Sequence, residues 1–160
     1  MPTNKTPEIK TMVILHSALL FGQVLFITVA SIVVFFSQTI DPVLADYSYE
    51  LIVISLIAGL VSFMISKTVF QKKLNNIKQG QITIQEKVEY YRSASILRWA
   101  IIEAATLLTI VLFLLTQHYF IMAIASALII IFFSKRPSLE MVAADLSIPQ
   151  VEIQQMERPS

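Results

Sequence analysis

Glu103 is the residue in this chain best placed to do chemistry. It lies inside the apolar run Ile96–Leu115, five positions after Arg98 and three before Thr106. A carboxyl group among apolar side chains must pair with a cation, face water or carry a proton, because an isolated charge is costly to take out of water. Such a group serves as a proton carrier or as a neutral hydrogen-bond donor. Helical spacing puts Arg92, Ser95, Trp99, Thr106 and Ile110 on its side of the helix. Arg98 is about 140° away around the same helix, so an internal pair is not expected. Its long stem would instead carry the guanidinium back toward the nearer surface.

His16 sits four residues into an earlier apolar run, Met12–Phe36. If both runs enter from one side, His16 and Glu103 differ in depth by about 4–5 Å at 1.5 Å per residue. A His16–Glu103 or Arg98–Glu103 contact between helices is therefore expected to be within reach. Gln23 falls near the depth of Thr106, where the two would cross-link helices by hydrogen bonding. Glu103, Arg98, His16, Gln23 and Thr106 are the candidate polar group inside the apolar region.

No catalytic constellation accompanies them. The three glycines, Gly22, Gly59 and Gly80, are scattered, and cysteine is absent. No H-E-x-x-H helix, phosphate-cradling glycine loop or serine elbow occurs. His16 and His118 fall near opposite ends of their runs and cannot share a metal. No enzymatic activity, cofactor or metal is expected.

Composition explains the setting. Of 160 residues, 56% are hydrophobic and only 14% charged, with a mean hydropathy of +0.71. Soluble domains carry roughly 25% charged residues. The expected fold is therefore an all-α, four-helix bundle in a lipid bilayer. Its spans are about 12–36, 51–70, 96–115 and 119–134. A span needs about 20 residues. The fourth is short, but Lys135 and Arg136 can reach back to headgroups while His118 or Tyr119 anchors the other end. A cleaved leader ending near Val43-Leu44-Ala45 is the rival for the first run, which is longer than the roughly 7–15 apolar residues of a leader.

All twelve Lys and Arg residues fall on one side of this pattern: Lys5, Lys10, Lys67, Lys72, Lys73, Lys78, Lys87, Arg92, Arg98, Lys135, Arg136 and Arg158. Positive residues resist translocation, so both termini are expected in the cytoplasm, in a cell membrane of bacterial inner-membrane type. The loop Ser37–Tyr49 holds Asp41 and Asp46 and no base.

The second apolar run continues without a breaker to Gly80, a natural helix stop. Thr83-Ile84-Gln85-Glu86 is a capping box that starts the next helix. Phe70, Leu74 and Ile77 on one arm and Ile84, Val88, Tyr91 and Ser95 on the other have the spacing of a packed seam. A helical hairpin over about 71–95 is expected to project into the cytoplasm. From Lys67 to Arg98 seven bases oppose Glu86 and Glu89, a net of +5. Lys72, Lys73, Lys78, Lys87 and Arg92 are the candidate contacts for an acidic partner or anionic lipid. Aromatics are not interleaved with bases as a stacking platform, so nucleic acid is not an expected partner.

The tail, 137–160, opens with Ser138 as a cap. Leu139, Val142, Ala143 and Leu146 share one face of a short amphipathic helix expected at the membrane surface. The chain is expected to be irregular from Pro149. Small residues recur four apart at Ser55–Gly59, Ala18–Gly22, Ala100–Ala104 and Ala123–Ala127, spacing that lets helices approach closely in lipid.

Leu97-Arg98-Trp99-Ala100-Ile101-Ile102-Glu103-Ala104 resembles the carboxylate helix of rotor-ring proteolipids. The resemblance covers one helix, lacks the glycine-rich packing helix, and puts the carboxylate in the third span where duplicated forms have it in an even-numbered one. Small multidrug-type exporters also have four helices and a buried Glu, but in the first span. Runs three and four with Lys135-Arg136-Pro137-Ser138 look more like uncharacterised four-span inner-membrane proteins of bacteria, a resemblance that implies no activity. The expected role is a non-enzymatic accessory, assembly or interaction subunit, with a membrane-protein partner or further copies of the chain. The alternative is a small oligomeric proton-coupled transporter or channel using Glu103.

Overall fold

The computed structural model describes residues 8–36, 42–80 and 82–157. The chain is all-helical over these residues, with no strand. Four helices form the bundle: α1 (Glu8–Phe36), α2 (Ser48–Gln79), α3 (Ile84–Thr116) and α4 (Tyr119–Phe133). Two short ones follow, α5 (Leu139–Leu146) and α6 (Gln150–Glu157). The first three are long and apolar enough to cross a bilayer. At 15 residues, α4 is about 22 Å long at 1.5 Å per residue. Asp41, Lys5 and Arg158 lie outside the described residues.

Central in the bundle is α3, which packs on α1, α2 and α4, while α4 also touches α1 and α2. The α2 face that meets the bundle is Ser55, Gly59, Ser62 and Ser66, all buried. Each serine hydroxyl donates to a carbonyl one turn back, at 2.7 Å to Leu51, 2.9 Å to Gly59 and 2.8 Å to Phe63 respectively. Their polarity is thus satisfied within α2, and their small size brings the backbone close. A Cβ on Gly59 would stand 3.3 Å from a Leu128 methyl. The other small pairs face outward: Ala18, Gly22, Ala100, Ala104, Ala123 and Ala127 are exposed.

The α2–α3 hairpin turns at Gly80. This residue stops α2 in extended backbone, φ −72° and ψ 133°, not in the left-handed region usual for a glycine stop. Thr83 then caps α3 with the full reciprocal box. Its hydroxyl oxygen accepts from Glu86 N–H at 3.3 Å, and its own N–H donates to Glu86 Oε2 at 2.9 Å. The Thr83 hydroxyl, and then its N–H, hold the Glu86 carboxyl below the usual carboxylate range. Acidification through that range therefore loosens the α3 start.

At the opposite, far end, Gln117 closes α3 at φ 52°, a left-handed residue without being glycine. His118 Nδ1 then accepts from Phe120 N–H at 3.3 Å and caps α4.

The interior divides into two clusters. Near the far end Ala30, Val34, Ile110, Phe113, Ile121 and Ala125 pack together. Nearer the hairpin tip, Met12, Phe70, Leu74, Val88, Trp99 and Phe132 are joined by residues of both tail helices. The ten described bases all lie on the tip side of the bundle.

The tail departs from the sequence expectation in two ways. The apolar face of α5 is covered by the bundle. Its residues Val142, Ala143 and Leu146 are buried against α2 and α3. Pro149 begins a helix instead of ending order. Its carbonyl accepts from Glu152 N–H at 3.1 Å, and Ile153 of α6 is wholly buried in the tip-side cluster. A proline lacks only an N–H that a helix start leaves unbonded anyway.

Candidate functional site

His16 is 1% exposed, and its surroundings are aromatic. The ring stacks on Phe132 of α4, with centroids 4.6 Å apart and planes at 10°, and meets Trp99 of α3 edge-on at 5.1 Å. Its Nε2 lies 3.1 Å from the Phe132 carbonyl oxygen. That carbonyl, in the last turn of α4, also accepts the Lys135 N–H at 2.9 Å, so His16 is a second partner on it. His16 thus ties three helices together through one ring. Its Nδ1 is buried with no hydrogen-bond partner.

This placement replaces the expected His16–Glu103 contact. Glu103 has no hydrogen bond or ion pair among the described residues. It is half-buried on the flank of α3, between the buried Thr106 and Ile110 and an outward stripe of Leu97, Ala100, Ala104 and Leu108. The second expected contact, Arg98–Glu103, is also absent. Arg98 leaves α3 on the other flank and places its guanidinium carbon 4.7 Å from the Phe70 ring centroid on α2. Cation–π attraction and the apolar surface of Phe70 hold it there.

Gln23 is fully buried, and neither its amide nitrogen nor its oxygen has a partner. Thr106 is fully buried too, but its hydroxyl donates to the Ile102 carbonyl one turn back at 2.9 Å. The expected Gln23–Thr106 cross-link is therefore not made. Thr106 satisfies itself locally, as a hydroxyl inside a helix can.

The polar contact that sequence spacing missed lies at the tip side. Tyr91 of α3 donates its hydroxyl to Asp145 Oδ2 of α5 at 2.8 Å. Burial first, then the Asp145 charge, push the Tyr91 phenol well above its ordinary range. Its ring meets Phe70 edge-on at 5.6 Å. Tyr91 is visible in the sequence as a seam residue. Asp145 carried no signal beyond lying beside the apolar face of a short helix.

Of the candidate surface bases, Lys72, Lys73 and Lys78 are exposed on the hairpin, while Lys87 and Arg92 are half-buried. A cavity of about 350 Å³ opens beside Lys73, lined also by Asn76, Ile77, Ile82 and Tyr90. The polar residues therefore separate into three places. His16 and Gln23 are interior, Glu103 lies on an outer flank, and the cations gather at the tip side. No protein-family model, curated protein or solved structure matches the chain.

Proposed function

We propose that this chain is a four-span, non-enzymatic protein of the cell membrane, of bacterial inner-membrane type. In this reading both termini are cytoplasmic, and the chain serves as an accessory, assembly or interaction subunit of a membrane complex. The bases on the tip side support that orientation, since cytoplasmic loops retain Lys and Arg. The short α4 completes the fourth crossing with Lys135 and Arg136 reaching headgroups.

One observation carries the interaction role. The hairpin is braced from outside by α5, through Val142, Ala143, Leu146 and the Tyr91–Asp145 bond, while Lys72, Lys73 and Lys78 stay exposed. A stretch needed only for topology would not require such a buttress. A braced, basic surface beside an apolar-walled cavity suits an acidic segment of a partner protein. Purification in mild detergent should retain a partner with the wild-type chain and lose it with K72E/K73E/K78E. A chain that stays strictly solitary would overturn this role.

The outward placement of Glu103 favours a second reading, an oligomeric proton-coupled transporter or channel. A carboxyl group with no partner among the described residues is available to a neighbouring copy or a water path between copies. Proton-driven flux in proteoliposomes should then fall with Glu103→Gln. Unchanged flux removes this reading.

A further inference from the structure

We propose that the cleft between α2, α3, α4 and α5 binds the headgroup of an anionic phospholipid through Lys67, Arg98 and Lys135. The cleft has a volume of about 380 Å³, ample for a glycerophosphate group. Its three cations come from three different places in the chain: Lys67 from α2, Arg98 from α3 and Lys135 from the end of α4. Asp145 is the sole acid among the described residues of its lining, leaving a formal excess of two positive charges there, and that carboxylate already accepts the Tyr91 hydroxyl.

The remaining walls indicate a lipid over a free ion. Phe63, Phe70 and Met141 supply apolar surface beside the cations. From Phe63 toward the far end, α2 presents exposed Leu60, Ile57 and Leu56, a track on which acyl chains would lie. The level is also right. Lys67 closes the apolar stretch of α2, Arg98 opens that of α3, and Lys135 follows α4 directly. On the membrane reading above, on which this proposal rests, all three meet the cytoplasmic headgroup layer. Arg98 lies over Phe70, near Asp145 but in no ion-pair contact with it, so its N–H groups remain able to fork onto phosphate oxygens. This cleft is separate from the exposed hairpin lysines assigned to a protein partner.

Native mass spectrometry of the full chain, released from nanodiscs of mixed phosphatidylglycerol and phosphatidylcholine, tests it. Retained phosphatidylglycerol is the expected result, with affinity falling about fivefold for each lysine removed in K67Q and K135Q and roughly twenty-five-fold in the double variant. Lys67 is exposed and Lys135 follows a helix, so neither change empties a core. K10Q, equal in charge to either single change but outside the cleft, should leave retention unchanged. Equal retention of phosphatidylcholine would overturn the proposal, as would an equal loss with K10Q. Full displacement by millimolar inorganic phosphate would make the site one for a free anion and overturn the lipid assignment. Failure of the partner pull-down leaves these outcomes untouched, because no hairpin lysine is shared.

Discussion

The imidazole of His16 lies parallel to the Phe132 ring at 4.6 Å while its Nε2 meets the Phe132 carbonyl oxygen at 3.1 Å. One side chain of α1 thus engages both the side chain and the backbone of one residue at the end of α4. His16→Ala should lower stability in detergent by about 3–5 kcal/mol, the range for removing a buried ring. His16→Phe should recover most of that, losing mainly the hydrogen bond, about 1 kcal/mol. Because Glu103 is not its partner, H16F and E103Q should add within about 0.5 kcal/mol. Denaturant titration of the four variants measures this, and a coupling well above that value would restore the His16–Glu103 pair.

Gln23→Leu should raise the stability of the bundle. Both amide atoms are buried without partners, a situation that costs about 1–3 kcal/mol, and Leu has nearly the same size. A thermal midpoint that rises in detergent is the expected outcome. A fall would show that the amide is bonded in the membrane-embedded protein.

The Tyr91–Asp145 bond makes the attachment of α5 sensitive to alkali. The folded protein holds the phenolic proton more tightly than the unfolded chain does. The contribution is therefore complete below about pH 10, the ordinary tyrosine value, and is lost as pH climbs above it. Hydrogen exchange of α5 and α6 should accelerate above that pH in the wild type. In Tyr91→Phe it should be faster at neutral pH and show no further alkaline step.

Gln117→Gly should stabilise the α3–α4 turn. A left-handed backbone costs a non-glycine residue about 1–2 kcal/mol, and Gln117 adopts one with φ 52°. Part of that gain is offset by the greater freedom of glycine in the unfolded chain. A net rise in unfolding free energy below about 1 kcal/mol is expected, and a loss would mean that the Gln117 side chain supports the turn.

Gly59→Ile should loosen α2 from the bundle, whereas Gly59→Ala should be nearly neutral. Alanine asks a Leu128 methyl to move a few tenths of an ångström and improves helix propensity by about 1 kcal/mol. Isoleucine overfills the same contact, at a cost of about 1–3 kcal/mol. Thermal midpoints in detergent separate the two.

Local features were readable because they depend on near neighbours. Gly80 and Thr83-Ile84-Gln85-Glu86 mark a stop and a start within one turn of chain, and the helices end and begin there. The apolar face Val142, Ala143 and Leu146 follows from helical spacing alone. What covers that face does not, because an amphipathic helix suits a membrane surface or a groove equally. Ile153 was invisible because the segment after Pro149 is polar apart from a few apolar residues, and one buried side chain leaves no periodicity. The polar residues of the apolar region stand out in the sequence, but their pairing does not. Depth along two helices restricts which residues can meet, while rotation about each axis decides which do.

That this chain is helical, that its apolar helices suit lipid and that its cations gather toward one end are already written in its amino-acid order. Those properties follow from hydropathy, period and charge order along the chain. Tertiary packing alone decided that His16 meets Phe132 and Trp99, that Glu103 turns outward, and that Asp145 reaches back to Tyr91. It also brought Lys67, Arg98 and Lys135 around one cleft, since only the rotation and docking of four helices can join residues so far apart in sequence.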